Sequence, residues 1–216
     1  MGLDLVAEAC AKAGHEAEWR RLLEKSFGGD EQSDADVARF REISIPPYER
    51  IGAPRVGQDP AADAWIVEQN KATTPDDIAA VLKEFDGYHA IALVQCDGVP
   101  KYSNGGLYDG VDETSFRGAF LPMCSDVLSK ELIEQAWDHK MPEAAVAYGR
   151  GLLAAADAAI EPPPAPPRKP GLLARLGLGR QPTDPTPFAE QLDIARAAGR
   201  WFIFWGERGH AIRAWF

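Results

Sequence analysis

Proline is concentrated in one stretch near the carboxyl end of this chain, and this concentration limits what the chain can fold into. Nine of the 17 prolines lie between residues 162 and 187. Proline fixes φ and lacks the N–H that a helix interior or a central strand requires, so an extended connector is expected here. The sequence therefore predicts a body over residues 1–161, a flexible connector over residues 162–187, and a Trp-rich tail over residues 188–216.

The three parts carry different charges. Residues 1–161 contain 29 acidic and 15 basic side chains, which gives a net charge of −14. From residue 162 to 183 there is no acid, and the charge of +4 comes from Arg168, Lys169, Arg175 and Arg180. An acidic body repels the phosphates of nucleic acids. We therefore exclude nucleic acid as a partner and expect a basic protein instead.

Apolar side chains recur at helical spacing through most of the body, and this pattern predicts a mainly α fold. The clearest helix spans residues 75–85, with Thr74 as its N-cap and Gly87 after its end. Similar stripes or caps predict helices near Trp19, Ser33, Ala61, Asp112, Ser129, Pro142 and Phe188. In this interpretation Trp137 and Leu153 face the core.

Residues 88–96 have a different pattern from the helices around them. The segment is uncharged, and Asp97-Gly98 follows it as a turn. A buried strand is the first interpretation, and a buried helical turn is the alternative, because periodicity does not separate the two over nine residues. The fold class is therefore mainly α with at most a small strand element at residues 88–96, and α+β is the alternative.

The tail combines a helical pattern with many aromatic residues. From Phe188 onward two adjacent apolar stripes predict one helix with a wide apolar face, which must be covered. We expect this helix to dock back on the body. The alternative is an interaction role in which Trp205 and Trp215 anchor a partner, since interface hot spots favour tryptophan.

The loop from Asp97 to Gly106 is the main candidate for ligand binding. It is rich in glycine and follows the apolar segment, so its backbone N–H groups are candidates to hold an anion, with Lys101 adding positive charge. The candidate ligand-binding residues are Lys101, Tyr102, Ser103 and Asn104. The alternative is a plain connector in which Asn104-Gly105 supplies a turn.

Catalytic chemistry has few candidate residues. His89, Cys96 and Asp97 are the candidates for a base, a nucleophile and an acid, and Cys124 is a further thiol. No nucleophile-elbow or C-x-x-C pattern accompanies them. An enzyme is therefore the less favoured interpretation, and it stays open as an alternative.

A group of acids lies close to the same loop, at Asp97, Asp109, Asp112 and Glu113. Their spacing is not that of a Ca²⁺-binding loop, and the four histidines are scattered along the chain. We therefore expect no metal and no cofactor. These acids fit a partner-binding surface better.

The compartment is inferred from the cysteines and from hydropathy. Three widely spaced cysteines argue against a disulfide framework and predict the cytoplasm. No apolar run approaches the roughly 18 residues that a membrane span requires. Residues 168–180 form a short basic amphipathic piece, for which transient membrane contact is the alternative to a solvated linker.

These observations favour a binding or regulatory protein of a bacterial type, with an immunity-like or adaptor role. Its acidic body would steer a basic protein partner to a surface that includes Asp109, Asp112, Glu113, Trp205 and Trp215. The first alternative is a small-molecule enzyme with its pocket at residues 96–106. The second is a peripheral membrane adaptor that acts through the basic connector.

Overall fold

The computed structural model of this protein describes residues 2–94, 114–163 and 186–216. Its fold is mainly α with small antiparallel sheets, which confirms the predicted class. The helices are α1 (Glu16–Phe27), α2 (Asp34–Ile43), α3 (Pro47–Arg50), α4 (Pro60–Gln69), α5 (Pro75–Glu84), α6 (Lys130–Gln135), α7 (Pro142–Ala158) and α8 (Phe188–Glu207). The strands are β1 (Asp4–Ala7), β2 (Cys10–Ala11), β3 (Ser44–Ile45), β4 (Ser115–Phe116) and β5 (Ile212–Trp215). Residues Ile91–Leu93 and Gly118–Cys124 form 3₁₀ turns.

Side-chain caps fix where several helices begin. The hydroxyl oxygen of Ser33 accepts the Asp36 N–H at the start of α2, and that of Thr74 accepts the Asp77 N–H at the start of α5. Ser129 caps α6 in the same way. Each cap satisfies an N–H that the first helical turn leaves without a partner. The predicted starts of these three helices are confirmed.

Helices α7 and α8 form the central layer, and glycine lets their backbones approach closely. A Cβ atom added at Gly149 would lie 2.6 Å from the carbonyl oxygen of Gly199. A Cβ atom added at Gly199 would lie 2.9 Å from the carbonyl oxygen of Gly149. Real Cβ atoms do not tolerate such distances, so the two glycines set the spacing of the pair.

The main core is built on the inner face of α8. Trp201, Phe202 and Trp205 are fully buried there, and the Tyr148 ring of α7 meets Phe202 edge to face with a centroid distance of 4.8 Å. Together these rings bury several hundred Å² of apolar surface. The prediction that a carboxyl-terminal helix docks back on the body is confirmed.

A three-stranded antiparallel sheet in the order β4-β1-β5 covers one side of this core. Leu5 at its centre pairs with Phe116 of β4 and with Ala214 of β5, and all three side chains face inward. The alternation typical of strands then directs Arg213 and Trp215 to the opposite face. The sheet thus decides which residues of β5 point away from the core.

Two smaller clusters complete the interior. Strands β2 and β3 pair beside α1. The buried side chains of α1 pack with Ile43 and Ala211. Helices α4 and α5 pack on each other around Val56, Ala62, Ile66 and Ala90.

Several local predictions are wrong. Residues 88–94 do not form a strand: His89 makes a single bridge with Arg55, and a 3₁₀ turn follows at Ile91–Leu93. One bridged residue offers too few ladder hydrogen bonds for a strand. The helix predicted from Asp112 through Phe116 and Phe120 is only partly present in the described residues: Phe116 pairs with Leu5 in the sheet, and a 3₁₀ turn that includes Phe120 begins at Gly118.

The inward faces of α6 and α7 also differ from prediction. Helix α6 ends at Gln135, so Trp137 lies beyond it and is 37% exposed. The buried stripe of α7 includes Tyr148 and Leu152, whereas Leu153 is half-buried. The apolar spacing alone did not predict where α6 ends. It also did not predict that the buried face of α7 is rotated by about one residue from the predicted face.

Gly199→Ala is expected to lower the free energy of unfolding by about 1–3 kcal/mol, because overpacking forces the two helices apart. The added Cβ atom would lie 2.8 Å from the Leu153 side chain as well as against the backbone of α7. Urea unfolding measures the change. Gly151→Ala is the matched control, since its Cβ atom would meet only Leu132 at 3.4 Å and alanine favours a helix. An equal loss in both variants would contradict the close-packing argument.

Candidate functional site

Most residues singled out in the sequence lie outside the described part of the chain. This holds for Cys96, Asp97, Lys101, Tyr102, Ser103, Asn104, Asp109, Asp112 and Glu113, and for residues 164–185 of the connector. His89, Trp205 and Trp215 are described. The roles predicted for the others stay predictions.

Trp205 is a core residue, and its predicted role as a partner anchor is wrong. Its side chain is fully buried, and its indole ring meets Phe204 and His210 edge to face, each at a centroid distance of 5.0 Å. A buried ring offers no surface to a partner. The reason is its position on the inner face of α8, which the main core covers.

Trp215, by contrast, lies at the surface in an aromatic patch that we define as Trp137, Trp215 and Phe216. Trp215 is 58% exposed and Phe216 is 65% exposed. The rings of Trp137 and Phe216 meet with a centroid distance of 5.4 Å. The contact between Trp137 and Phe216 brings together the end of β5 and the segment after α6, although Trp137 and Trp215 are 78 positions apart in the chain.

Arg213 holds the patch against the body. Its guanidinium donates to the carboxylate of Glu8 and, at 2.9 Å, to the hydroxyl of Ser26. The same group lies 4.9 Å from the centre of the Phe27 ring and 5.4 Å from that of Trp215. These contacts tie β5 to α1 and place a fixed cation against the Trp215 ring, so Trp215 is held in position.

His139 closes the outer edge of β5 beside the patch. The Ala214 N–H donates to its Nδ1 atom at 3.1 Å, so the ring proton is on Nε2, and the ring stacks on Phe27 at 4.4 Å. Burial, and then the positive charge of Arg213, lower the pKa of His139. A neutral imidazole is what this hydrogen bond requires, because a protonated Nδ1 has no lone pair to offer.

Acidic side chains surround the segment that carries Trp137. Glu131, Glu134 and Asp138 are exposed, and Lys130 pairs with Glu134 at 3.3 Å. This segment therefore presents an aromatic ring with an excess of negative charge beside it. Exposed pairs such as Lys130 with Glu134 contribute little to stability, so these charges are better suited to steering than to holding the fold.

A cavity of about 420 Å³ lies between the end of α6 and the outer face of α7. We call it the Lys140 cavity; its wall is formed by Leu132, Gln135, Asp138, His139, Lys140, Ala144, Ala147, Tyr148 and Gly151. Lys140 is only 5% exposed. Its ammonium donates to the carbonyl oxygens of Gln135 and Asp138 and lies 4.4 Å from the centre of the Tyr148 ring.

Burial lowers the pKa of Lys140 to about 8, and the negative charge of Asp138 opposes the shift. Within the described residues no carboxylate forms an ion pair with this ammonium. Nothing in the sequence marks the residue, because a lone lysine between two helices has no pattern. Only the packing of α7 against the end of α6 reveals that it is buried.

His89 lines a separate cavity of about 480 Å³. Its ring stacks on Tyr48 at 5.3 Å, and Arg55, which also lines the cavity, donates to the carbonyl oxygen of Gly87 at 2.9 Å. Burial, and then Arg55, lower the pKa of His89. Glu49 lies on the same wall, so a cation, an anion and a neutral imidazole converge there. The sequence pointed to His89 but not to Arg55.

Cys124 is not a candidate nucleophile. It is fully buried, its thiol donates to the carbonyl oxygen of Phe120, and burial raises its pKa to about 12. The reactive species of cysteine is the thiolate, which such an environment disfavours.

Metal and membrane sites receive no support from the described ranges. Within residues 2–94, 114–163 and 186–216, no group of three His, Cys, Asp or Glu side chains is arranged to hold a metal ion. None of the helices in those ranges has the length and apolar character needed to cross a bilayer. Comparison with known proteins found no match: no family model, no curated protein and no solved structure matches this chain.

His210 links the folded state to pH. It is fully buried, its Nδ1 atom lies 2.7 Å from the carbonyl oxygen of Glu8, and its Nε2 atom has no partner among the described residues. Burial lowers its pKa to about 4. An unfolded histidine titrates near 6.5, so the contribution of His210 is complete above about pH 6.5 and is lost as the pH falls towards 4.

The free energy of unfolding is expected to fall between pH 6.5 and 4, and His210→Asn is expected to make this fall smaller by about 3 kcal/mol. The reason is that asparagine keeps an N–H donor near the position of Nδ1 but does not titrate. Urea unfolding at a series of pH values measures the slope. His15→Asn, which changes a histidine at the surface, is the control and should keep the slope of the unchanged protein. If His210→Asn keeps that slope too, a group other than His210 is responsible.

Proposed function

We propose that this is a binding or regulatory protein that engages a basic protein partner through the aromatic patch and the acidic residues beside it. One observation carries the proposal: Trp137, Trp215 and Phe216 are exposed at and beside the end of β5, with the rings of Trp137 and Phe216 in contact, whereas the core buries Trp201 and Trp205 completely. Clustered aromatic rings at a surface are costly in water and are characteristic of interaction sites.

The contacts that hold Trp215 in position strengthen this proposal. Arg213 and His139 hold β5 in place, and the Arg213 guanidinium lies against the Trp215 ring. A preorganised surface loses little conformational freedom on association, so more of its contact energy appears as affinity. Tryptophan faces also attract arginine and lysine side chains of a partner through cation–π contacts.

The charge of the chain supports a basic partner in particular. The excess of acids over residues 1–161 attracts positive charge at long range, and Glu131, Glu134 and Asp138 lie on the segment that carries Trp137. Complementary charge speeds encounter and selects against acidic competitors. A contribution from Asp109, Asp112 and Glu113 belongs to the same proposal, whereas a peripheral membrane role for residues 168–180 is an alternative to it.

A cytoplasmic location is the last part of this proposal. Cys10 and Cys124 are buried free thiols in the described residues. Unpaired buried thiols fit a reducing compartment better than an oxidising one.

Trp215→Ala is expected to weaken binding of a basic partner by more than about tenfold, because central aromatic anchors dominate interface energies. The partner is first captured on the immobilised protein at low salt and identified, and its affinity is then measured with purified components. Tyr88→Ala is the matched control, since Tyr88 is an exposed aromatic residue outside the patch. Binding should also weaken as salt rises, because exposed charges are screened over about 8–10 Å.

The proposal fails if Trp215→Ala binds the purified partner as tightly as Tyr88→Ala does. It also fails if the captured protein is acidic, or if binding does not depend on salt. These outcomes separate an aromatic, charge-steered interface from adsorption to the chain in general.

A second candidate is a small-molecule enzyme with His89, the candidate base, in its pocket. One observation favours it: His89 and Arg55 line the same cavity of about 480 Å³. A neutral histidine beside a guanidinium is suited to accept a proton from a bound anion. Thermal shift against a panel of small carboxylates and phosphates tests it. Stabilisation that is lost in His89→Gln and in Arg55→Gln supports this candidate, and stabilisation by no member of the panel argues against it.

A further inference from the structure

Lys140 is in an unusual position for a lysine. Lysine side chains are seldom fully buried unless they are paired with a carboxylate. Here the ammonium is bound by two backbone carbonyl groups and a tyrosine ring, and no carboxylate of the described residues pairs with it. The side chain nevertheless forms part of the wall of a cavity of about 420 Å³.

We propose that the Lys140 cavity takes a small aldehyde, which the Lys140 amine captures as an imine. The neutral amine nitrogen attacks the carbonyl carbon, and the carbonyl oxygen takes up a proton to give a carbinolamine. Loss of the nitrogen-bound proton and of the hydroxyl group as water then forms the C=N bond. One water leaves, no oxidant or reductant is needed, and hydrolysis reverses the reaction.

The environment of the amine favours this chemistry. Burial penalises the ammonium charge, and a neutral imine removes that penalty. With a pKa of about 8, the Lys140 amine is neutral, and so nucleophilic, in a larger fraction of molecules at pH 7.5 than an exposed lysine, whose pKa is near 10.4.

The cavity wall also suits a small carbonyl compound. Leu132, Ala144 and Ala147 provide apolar surface for the carbon skeleton. Asp138 also lines the cavity, and its negative charge acts on the amine. Tyr148 does not act as a base, because burial raises its pKa and its hydroxyl donates to the carbonyl oxygen of Leu132.

A purely structural role gives a different expectation. The amine donates to the carbonyl oxygens of Gln135 and Asp138 and so caps the end of α6. If capping is its only role, the amine stays charged and shielded, and an aldehyde reaches it no faster than it reaches a lysine on the surface.

Reductive trapping distinguishes the two roles. The full chain is treated at pH 7.5 with limiting propanal and sodium cyanoborohydride, and the modified lysines are mapped by peptide mass spectrometry. We expect Lys140 to be modified at least tenfold faster than Lys83 and Lys130, which are exposed. Its rate should rise with pH and level off above about pH 8, whereas the rates at the exposed lysines keep rising.

Lys140→Met should remove the fast modification, and Lys83→Met should leave it unchanged. Because Lys140 also caps α6, the decisive measurement is made on the unchanged protein, so a folding defect in the variant does not affect the outcome. Modification of Lys140 at the rate of Lys83 and Lys130, or its absence while those lysines react, would overturn the proposal.

Discussion

The close contact between α7 and α8 is the constraint on which the rest of the structure depends. Gly149 and Gly199 bring the two backbones together, and this places the tryptophans of α8 over the body instead of in water. The position of α8 then sets where β5 lies, because β5 follows it after a short turn. A bulkier side chain at either glycine would separate the helices and move every element that packs on them.

The aromatic patch and the Lys140 cavity both follow from this arrangement. Strand β5 pairs with β1 on one side and meets Lys140 and His139 on the other, so the residues after α6 serve as its second neighbour. Those few residues place Trp137 in the aromatic patch and bury Lys140 against α7. One short segment therefore belongs to an exposed aromatic surface and to a cavity at the same time.

The buried titratable groups share one physical cause. Lys140 and His210 are buried and His139 is partly buried, and in each case burial is the largest reason that the pKa falls. Their consequences differ because their surroundings differ. The Lys140 side chain reaches a cavity, the His139 ring accepts a backbone N–H, and the His210 ring packs against Trp205 in the core. Desolvation alone therefore does not assign a role; the neighbouring groups do.

The sequence by itself determined where several helices begin, because capping acts over a few residues: Ser33, Thr74 and Ser129 begin helices where their side chains predict. It also determined that the face of α8 is covered, since so wide an apolar stripe is unstable in water. Only the tertiary structure decided that Trp205 is buried while Trp215 is exposed, and that Lys140 lines a cavity. These outcomes depend on strand pairing and helix contacts between residues far apart in sequence, which no local pattern encodes.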